Sequence, residues 1–155
     1  MAVEIERRFV VAHLPDALVL DPGTPMRQGY LTDGGAVAVR LRITAAAAVL
    51  TVKAGAGLQR TEVEVPLPAD EAEQLWPHTA GRRIDKTRYH VPLADGHIAE
   101  VDRYHDALDG LVTIEVEFAD VATAERFAPP AWFGTEVTGR PEWSNAALAR
   151  NGRPT

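Results

Sequence analysis

The stretch VEIERRFVV (residues 3–11) opens the chain and places two glutamates among alternating apolar residues. In a β-strand, successive side chains point to opposite faces of the sheet, so Glu4, Glu6 and Arg8 would share one face. Like charges that stand side by side weaken a sheet. The stretch therefore predicts a strand whose charged face meets a positively charged partner.

The same alternation recurs along the chain as same-sign pairs two residues apart. These pairs are Glu4 and Glu6, Arg40 and Arg42, Glu62 and Glu64, Lys86 and Arg88, Glu100 and Asp102, and Glu115 and Glu117. A solvated sheet face usually mixes charges of both signs, and one pair alone would fit such a face. The pairs recur on many strands, and the other face of these strands is steadily apolar. This pattern instead predicts a barrel with a charged interior. Those apolar positions are Ile5, Val39, Leu41, Ile43, Val63, Val65, Ile114, Val116 and Phe118.

Strand patterns of this kind alternate with short Gly-rich or Asp-Gly turns. The predicted strands are 3–11, 27–31, 36–44, 49–53, 58–67, 82–93, 97–105 and 111–119, and the predicted helices are 69–76, 121–128 and 144–152. Segment 13–25 is predicted to be a connection, and 44–49 is equally compatible with helix or loop. About eight strands joined by tight turns indicate an antiparallel meander, and eight strands can close around one small ligand. The predicted class is α+β, mainly β: a closed eight-stranded antiparallel barrel with a charged lumen and a few flanking helices.

Composition restricts the classes of protein that the chain can represent. The 155 residues, 46% hydrophobic and 25% charged, are typical of one globular domain, here predicted to span 1–155. A net charge of −6 argues against binding to nucleic acid or to an anionic membrane. The absence of cysteine excludes disulfides and thiolate metal sites, and no apolar run could cross a bilayer. These features predict a cytoplasmic protein.

A lumen lined by these charges would hold eight acids and seven bases. Buried charges are costly unless they are paired or bind metal, so an ionic ligand is expected. Carboxylates without cysteine or organised histidine suit hard cations such as Mg²⁺, and arginines suit phosphate oxygens. With eight acids against seven bases, the lumen would carry a small net negative charge. Two divalent ions would make that net charge positive, and a triphosphate anion could then neutralise it.

These motifs resemble those of the CYTH domains, the triphosphate tunnel metalloenzymes. EIERR (4–8) is similar to the family signature ExExK, and the other family motifs follow in order. They are QGYL (28–31), VRLRI (39–43), LTVK (50–53), RTEVEV (60–65), KTRY (86–89), EVD (100–102), IEVE (114–117) and the tail 132–149, which resembles the short, single-domain bacterial members. The resemblance implies hydrolysis of the terminal phosphoanhydride of a triphosphate or short-chain polyphosphate with Mg²⁺ or Mn²⁺, most commonly of inorganic triphosphate. Relatives act on thiamine triphosphate or nucleotides, or cyclise ATP.

The resemblance, together with the charge pattern, assigns roles to the lumen residues. The predicted catalytic residues are Tyr30 and Arg8. The predicted substrate-binding residues are Arg8, Arg40, Arg42, Lys53, Arg60, Lys86 and Arg88, and the predicted metal ligands, for two ions, are Glu4, Glu6, Glu62, Glu64, Glu100, Asp102, Glu115 and Glu117. Arg8 stands where the family signature has lysine, and arginine cannot readily lose its proton.

Three alternatives remain at the level of sequence. Arg8 would suit a module that binds polyphosphate or nucleotide without turnover. Thiamine triphosphatase or adenylate cyclase activity would need an additional pocket at the tunnel mouth. A lipocalin-like carrier is disfavoured because it would expose six like-charged pairs. The apolar outer face, where the helices leave it uncovered, predicts a homodimer.

Overall fold

The computed structural model describes residues 3–18 and 20–155, so the predictions for 1–155 and 13–25 lie partly outside the described residues. The strands are β1 (Val3–Val10), β2 (Thr24–Tyr30), β3 (Val37–Ile43), β4 (Ala48–Ala54), β5 (Gln59–Leu67), β6 (Arg83–Pro92), β7 (Ile98–Tyr104), β8 (Val112–Glu117) and β9 (Thr135–Glu136). The helices are α1 (Ala69–Leu75), α2 (Val121–Arg126) and α3 (Asn145–Asn151). Short 3₁₀ helices span Trp76–Thr79, Asp106–Leu108, Ala131–Phe133 and Pro141–Trp143.

Eight of these strands close into an antiparallel barrel, which confirms the predicted fold. The order is β5-β4-β3-β2-β6-β7-β8-β1, and pairing of β1 with β5 completes the circle. The meander prediction holds within β2–β5 and within β6–β8, but it is wrong for β1, which lies between β8 and β5 instead of beside β2. Local alternation predicts strands and turns, but it does not say which distant edges pair.

Two boundaries differ from the sequence prediction. β2 begins at Thr24, so the end of the predicted connection already belongs to the sheet. The alanine-rich segment 44–49 forms a tight turn, in which the amide of Thr44 donates to the carbonyl of Ala47 at 2.9 Å, and then enters β4. Alanine has no side chain that selects helix over strand by packing, so the neighbouring strands decide its conformation.

Most of the hydrophobic core lies outside the barrel wall, between the strands and the segments that cover them, and a smaller cluster around Tyr104 closes one end of the lumen. One cluster places Ile114 and Val116 of β8 against Phe127 and Phe133, which follow β8 in the chain. A second joins Tyr104 to Leu148 of α3, and a third packs α1 on β3 and β4. Each fully buried aliphatic side chain stabilises the fold by about 1.5–3 kcal/mol. The outward apolar face thus carries the stability and leaves the interior free for polar groups.

The helices leave part of that apolar face uncovered. Val63 and Val65 of β5 are 44% and 46% exposed, and Val37 of β3 is 44% exposed. The helices cover the side formed by β7, β8 and β1, and α1 covers only one end of β3 and β4.

The C-terminal tail binds the end of β1. The amide of Val137 donates to the carbonyl of Arg8 at 2.8 Å, and the amide of Arg8 donates to the Thr138 hydroxyl at 2.9 Å. Gly134 makes this approach feasible, because its φ is +81° and a Cβ there would collide with the backbone of Val10. The tail therefore fixes the backbone on both sides of Arg8. No helix in the described part of the chain is long and apolar enough to cross a membrane.

Candidate active site in the barrel lumen

The predicted site residues alternate along the strands so that they face one lumen. Nine of them are buried: Glu4, Glu6, Arg8, Tyr30, Arg40, Lys86, Arg88, Asp102 and Glu115. Five are half-buried, namely Arg42, Lys53, Arg60, Glu62 and Glu100. Glu64, in the middle of β5, and Glu117, the last residue of β8, are exposed. Buried groups such as Gln28, Thr51 and Thr113 complete a polar interior.

On the β6–β7 wall, acids and bases neutralise each other. Asp102 accepts from Lys86 Nζ at 2.7 Å and from Arg88 Nε at 2.8 Å, and Arg88 Nη1 also donates to Glu100 at 2.8 Å. Burial opposes ionisation of Asp102, but the charges of Lys86 and Arg88 outweigh it and lower its pKa to about 2. This wall therefore has little charge left for a ligand.

Arg8 lies in a second buried network, at one end of the barrel. Its Nη1 pairs with Glu115, and its Nη2 donates at 3.1 Å to both the Tyr104 hydroxyl and the Asn145 carboxamide oxygen. Burial disfavours the carboxylate, but Arg8 and Arg88 lower the pKa of Glu115 well below its usual value. Burial is also the main reason why the pKa of Tyr104 rises to about 12, so its hydroxyl keeps its proton. Arg8 is thus a fixed cation.

Three carboxylates gather between β1 and β5 with two bases among them. Glu4 contacts Lys53 at 3.0 Å and Arg60 at 3.2 Å, Glu6 contacts Arg60 at 3.1 Å, and Glu62 contacts Lys53 at 3.2 Å. Burial and its hydrogen bond with Glu4 raise the pKa of Glu62 to about 7. Burial and the charge of Glu115 raise the pKa of Glu6 well above its usual value. We call Glu4, Glu6 and Glu62 the acidic cluster, and it holds more negative charge than its partners neutralise.

Arg40 and Arg42 of β3 form the opposite case. Within the described part of the chain, neither has a carboxylate partner: Arg40 donates to Thr51 at 3.1 Å, and Arg42 donates to Gln28 at 2.9 Å. Burial, together with the charges of Arg40 and Arg88, lowers the pKa of Arg42 to about 10. Arg40 Nε and Gln28 Nε2 are buried donors with no partner among the described residues. An anion would satisfy both the charge and the open donors.

A cavity of about 460 Å³ opens the lumen at the end where β1 meets the tail. Polar lining comes from lumen residues, namely Arg8, Tyr30, Arg40, Lys53, Arg60 and Glu115. Tyr30 ends β2 opposite Arg40 and is buried, with 5% of its surface exposed. Ser144 and Asn145 at the start of α3 line the outer part of the cavity. The cavity brings the two predicted catalytic residues into one space.

The acidic cluster supplies the type of ligand that a hard divalent cation requires. Its six carboxylate oxygens match the all-oxygen coordination of Mg²⁺ and Mn²⁺. Among residues 3–18 and 20–155, no three acidic or histidine groups already converge at metal-binding geometry, because Lys53 and Arg60 occupy the carboxylates. The three carboxylates share only two bases, Lys53 and Arg60, so a bound cation would supply the missing positive charge.

Sequence reasoning missed several groups of the site. Gln28, Thr51 and Tyr104 lie two residues from predicted lumen positions, so the strand alternation that identified the charges could also have identified these polar groups. Asn145 is different: it follows a helix-capping serine, and no periodic pattern connects it to the lumen. Among the histidines, none of which was predicted to bind a ligand, His90 lies 3.6 Å from Glu100.

Together, the closed barrel and its charged interior define a tunnel-type protein, with an acid-rich region on β1 and β5 and, among the described residues, arginines without carboxylate partners on β3. Among known proteins, the chain is 43% identical over 147 residues to the inorganic triphosphatase of Nitrosomonas europaea, covering 94% of this chain and 96% of that one. It is 35% identical over 154 residues to the inorganic triphosphatase of Acetivibrio thermocellus, and the match covers 97% of this chain and 96% of that one. No family model matches the chain.

Solved structures agree with the sequence relatives. A crystal structure of an inorganic triphosphatase superposes with a TM-score of 0.72 at 40% identity and covers 99% of both chains. A Hippeastrum protein that is 15% identical has the same fold, with a TM-score of 0.57. The chain belongs to the triphosphate tunnel metalloenzymes, the CYTH domain family, as the motif order indicated.

Proposed function

We propose that the protein hydrolyses inorganic triphosphate to pyrophosphate and phosphate inside its tunnel. The observation that carries the proposal is the pair Arg40 and Arg42, two lumen cations without a carboxylate partner among the described residues, beside open donors on Arg40 and Gln28. Arginine binds phosphate oxygens through two parallel hydrogen bonds, so this wall suits a phosphate chain. The two inorganic triphosphatases that resemble the chain support the same substrate.

The lumen separates the tasks that such a hydrolysis requires. Arg40 and Arg42 bind the phosphate chain, and Lys53, between the acids and the cavity, adds a third cation. Mg²⁺ or Mn²⁺, as two ions held by the acidic cluster and Glu117, would polarise the phosphate oxygens and lower the pKa of the attacking water. The water oxygen forms a bond to the terminal phosphorus and releases one proton to solvent, while the bond to the bridging oxygen breaks and pyrophosphate leaves with that oxygen. Tyr30 and Arg8 would orient the reacting phosphate from the cavity wall.

The other predicted metal and phosphate ligands stay predictions. Those already paired with an opposite charge are less available to a ligand. Asp102 and Glu115 are already paired with buried bases, so they would have to give up those partners before they could bind metal. Glu64 is exposed, and Glu100 is paired with Arg88. Lys53, Arg60, Lys86 and Arg88 each contact carboxylates, so they are weaker candidates for phosphate binding than Arg40 and Arg42.

Two properties beyond the chemistry are part of the proposal. A cytoplasmic location agrees with the absence of cysteine. A homodimer would cover the exposed valines of β3 and β5, and we expect Val63→Lys to lower the mass measured by light scattering from that of a dimer to that of a monomer. A wild-type protein that is already monomeric would refute the dimer.

The test of function is phosphate release from inorganic triphosphate, ATP, thiamine triphosphate and pyrophosphate, each with Mg²⁺, Mn²⁺ or EDTA. We expect release that depends on metal and is fastest from inorganic triphosphate. Glu6→Gln should abolish it without unfolding the protein, whereas Glu71→Gln, on the exposed surface of α1, should leave it unchanged. Equal turnover in EDTA, or a preference for an organic triphosphate, would contradict the proposal.

A second candidate, binding without turnover, is favoured by one contact pattern. Arg8 replaces the family lysine, and both of its terminal nitrogens already bond to protein groups, Nη1 to Glu115 and Nη2 to Tyr104 and Asn145. The assay therefore includes Arg8→Lys. A wild type that binds triphosphate but releases no phosphate, with release gained in Arg8→Lys, would show that this chain is a binding module.

A further inference from the structure

We propose that Asn145, the first residue of α3, is a substrate-binding residue whose carboxamide donates a hydrogen bond to a phosphate oxygen in the tunnel. This inference rests on the proposed triphosphate substrate and adds a residue from outside the barrel to its binding site. Asn145 lines the same cavity as Arg8, Tyr30 and Arg40. The tail thus contributes directly to the site that the barrel forms.

The hydrogen bonds of Asn145 determine which way its carboxamide faces. The Tyr104 hydroxyl donates to Asn145 Oδ1 at 2.6 Å, and Arg8 Nη2 donates to the same oxygen at 3.1 Å. A guanidinium has no acceptor, so the reverse orientation would place the carboxamide N–H groups against Arg8 donors. Oδ1 must therefore face Arg8 and Tyr104, and Nδ2 must face away from them.

Asn145 Nδ2 then remains as a donor with no partner among the described residues. Arg8 Nε, in the same network, is a buried donor that also lacks a partner there. Asn145 and Arg8 line one cavity with Arg40 and Lys53, and an acceptor with several oxygens placed there would bond to these donors. A phosphate group is such an acceptor, and hydrogen bonds to it are strengthened by its charge.

Contacts of the residues before and after Asn145 fix its position. Ser144 caps α3 by accepting from the amide of Ala147 at 3.1 Å, and Leu148 packs into the cluster that contains Tyr104. Tyr104 itself is fixed, because its single proton goes to Asn145 and it accepts from Arg8 and Thr113. The donor is therefore oriented before the substrate arrives, which reduces the entropy lost on binding.

The test compares Asn145→Asp with Asn145→Ala in the full-length protein. Aspartate keeps the acceptor for Arg8 and Tyr104 but replaces the donor with a negative oxygen, while alanine removes both. Aspartate is also tolerated at the start of a helix, so loss of folding would not explain its effect. Asn151→Asp and Asn151→Ala, at the exposed end of the same helix, are the matched controls.

We expect Asn145→Ala to raise KM for inorganic triphosphate on the order of 10-fold, and Asn145→Asp to raise it further, with kcat less affected and the Asn151 variants unchanged. Normal kinetics in Asn145→Asp with a defect in Asn145→Ala would show that Asn145 only positions Arg8, which would overturn the proposed donor. Normal kinetics in both would overturn any role.

A binding measurement separates this inference from the proposed hydrolysis. The thermal shift caused by imidotriphosphate, which resists cleavage, reports binding even if the wild type releases no phosphate. An inactive wild type that binds the analogue, with binding weakened by Asn145→Asp, would refute hydrolysis and support Asn145. A wild type that shows neither turnover nor a thermal shift would overturn both.

Discussion

Glu62 is a single residue whose protonation should be visible in the stability of the whole protein. Its pKa rises from 4.5 to about 7, because burial and the neighbouring Glu4 disfavour its charge. A raised pKa stabilises the fold fully below pH 4.5, and that stabilisation is lost as the pH rises through 7. We expect Glu62→Gln, which cannot ionise, to lose less stability than the wild type between pH 5 and pH 8, by about 1–2 kcal/mol after allowance for solvent screening.

The measurement for Glu62 is the free energy of unfolding from urea titrations at pH 5 and pH 8. Glu64→Gln is the matched control, because Glu64 lies on the same strand and face but is exposed. It should follow the wild type at both pH values. Parallel losses in the wild type and in Glu62→Gln would mean that Glu62 ionises normally in the folded protein.

Arg8→Lys tests whether the geometry of the guanidinium matters in addition to its charge. Arg8 contacts Glu115, Tyr104 and Asn145 through two nitrogens, and a lysine has one nitrogen with which to replace them. We expect the variant to be less stable by about 1–3 kcal/mol, measured by urea unfolding. Arg126→Lys, exposed at the end of α2, should be neutral. Equal stability of Arg8→Lys and the wild type would mean that charge alone holds this network.

At the scale of elements, β9 depends on one glycine. Gly134 has φ +81° and no room for a Cβ against Val10, whereas Gly110 has φ +90° and no atom within 4 Å of the position that a Cβ would take. Both alanine variants place a side chain at positive φ, so their difference reports what is particular to Gly134, namely the collision with Val10 and a ψ of −138°. We expect Gly134→Ala to cost about 1–3 kcal/mol more than Gly110→Ala. It should also raise KM for triphosphate, since β9 and the following residues bind the backbone of Arg8.

Thermal unfolding and the phosphate-release assay measure the two parts of this prediction. If Gly134→Ala and Gly110→Ala have the same melting temperature, β9 can shift without loss of stability. One that melts lower but keeps the wild-type KM would show that the tail stabilises the barrel without positioning Arg8.

The elements also show how far sequence reasoning reaches. The alternation of EIERR, VRLRI and TEVEV predicts strands and their charged face, because the period of two is a local property. Insertion of β1 between β5 and β8 is decided by pairing between residues far apart in the chain, such as Glu4 with Arg60 and Glu6 with Glu117. No local pattern encodes that choice. Asn145 escaped prediction for the same reason, since its partners are on β1 and β7.

On the scale of the whole molecule, the barrel keeps opposite charges apart across one lumen. The acidic cluster is on β1 and β5, and the unpaired arginines are on β3, with β4 between β3 and β5. Among the described residues, Arg40 and Arg42 bond to Thr51 and Gln28 and not to the acidic cluster, so neither excess of charge neutralises the other. The excess negative charge of the acidic cluster and the excess positive charge of Arg40 and Arg42 each raise the free energy of the empty site. A cation and a polyanion that bind together would neutralise both.

This separation predicts cooperative binding of metal and triphosphate. Each ligand brings charge that favours the other, and the coupling must be reciprocal. At 100 times its dissociation constant, we expect imidotriphosphate with Mg²⁺ to raise the melting temperature by about 5–10 °C in total. This shift should exceed the sum of the shifts that each ligand causes alone. Arg40→Gln should reduce the response to the anion and Glu6→Gln the response to Mg²⁺. Arg103→Gln, exposed on β7, should change neither. Additive shifts would mean that the two surpluses act as independent sites, and the charge separation would then have no role in binding.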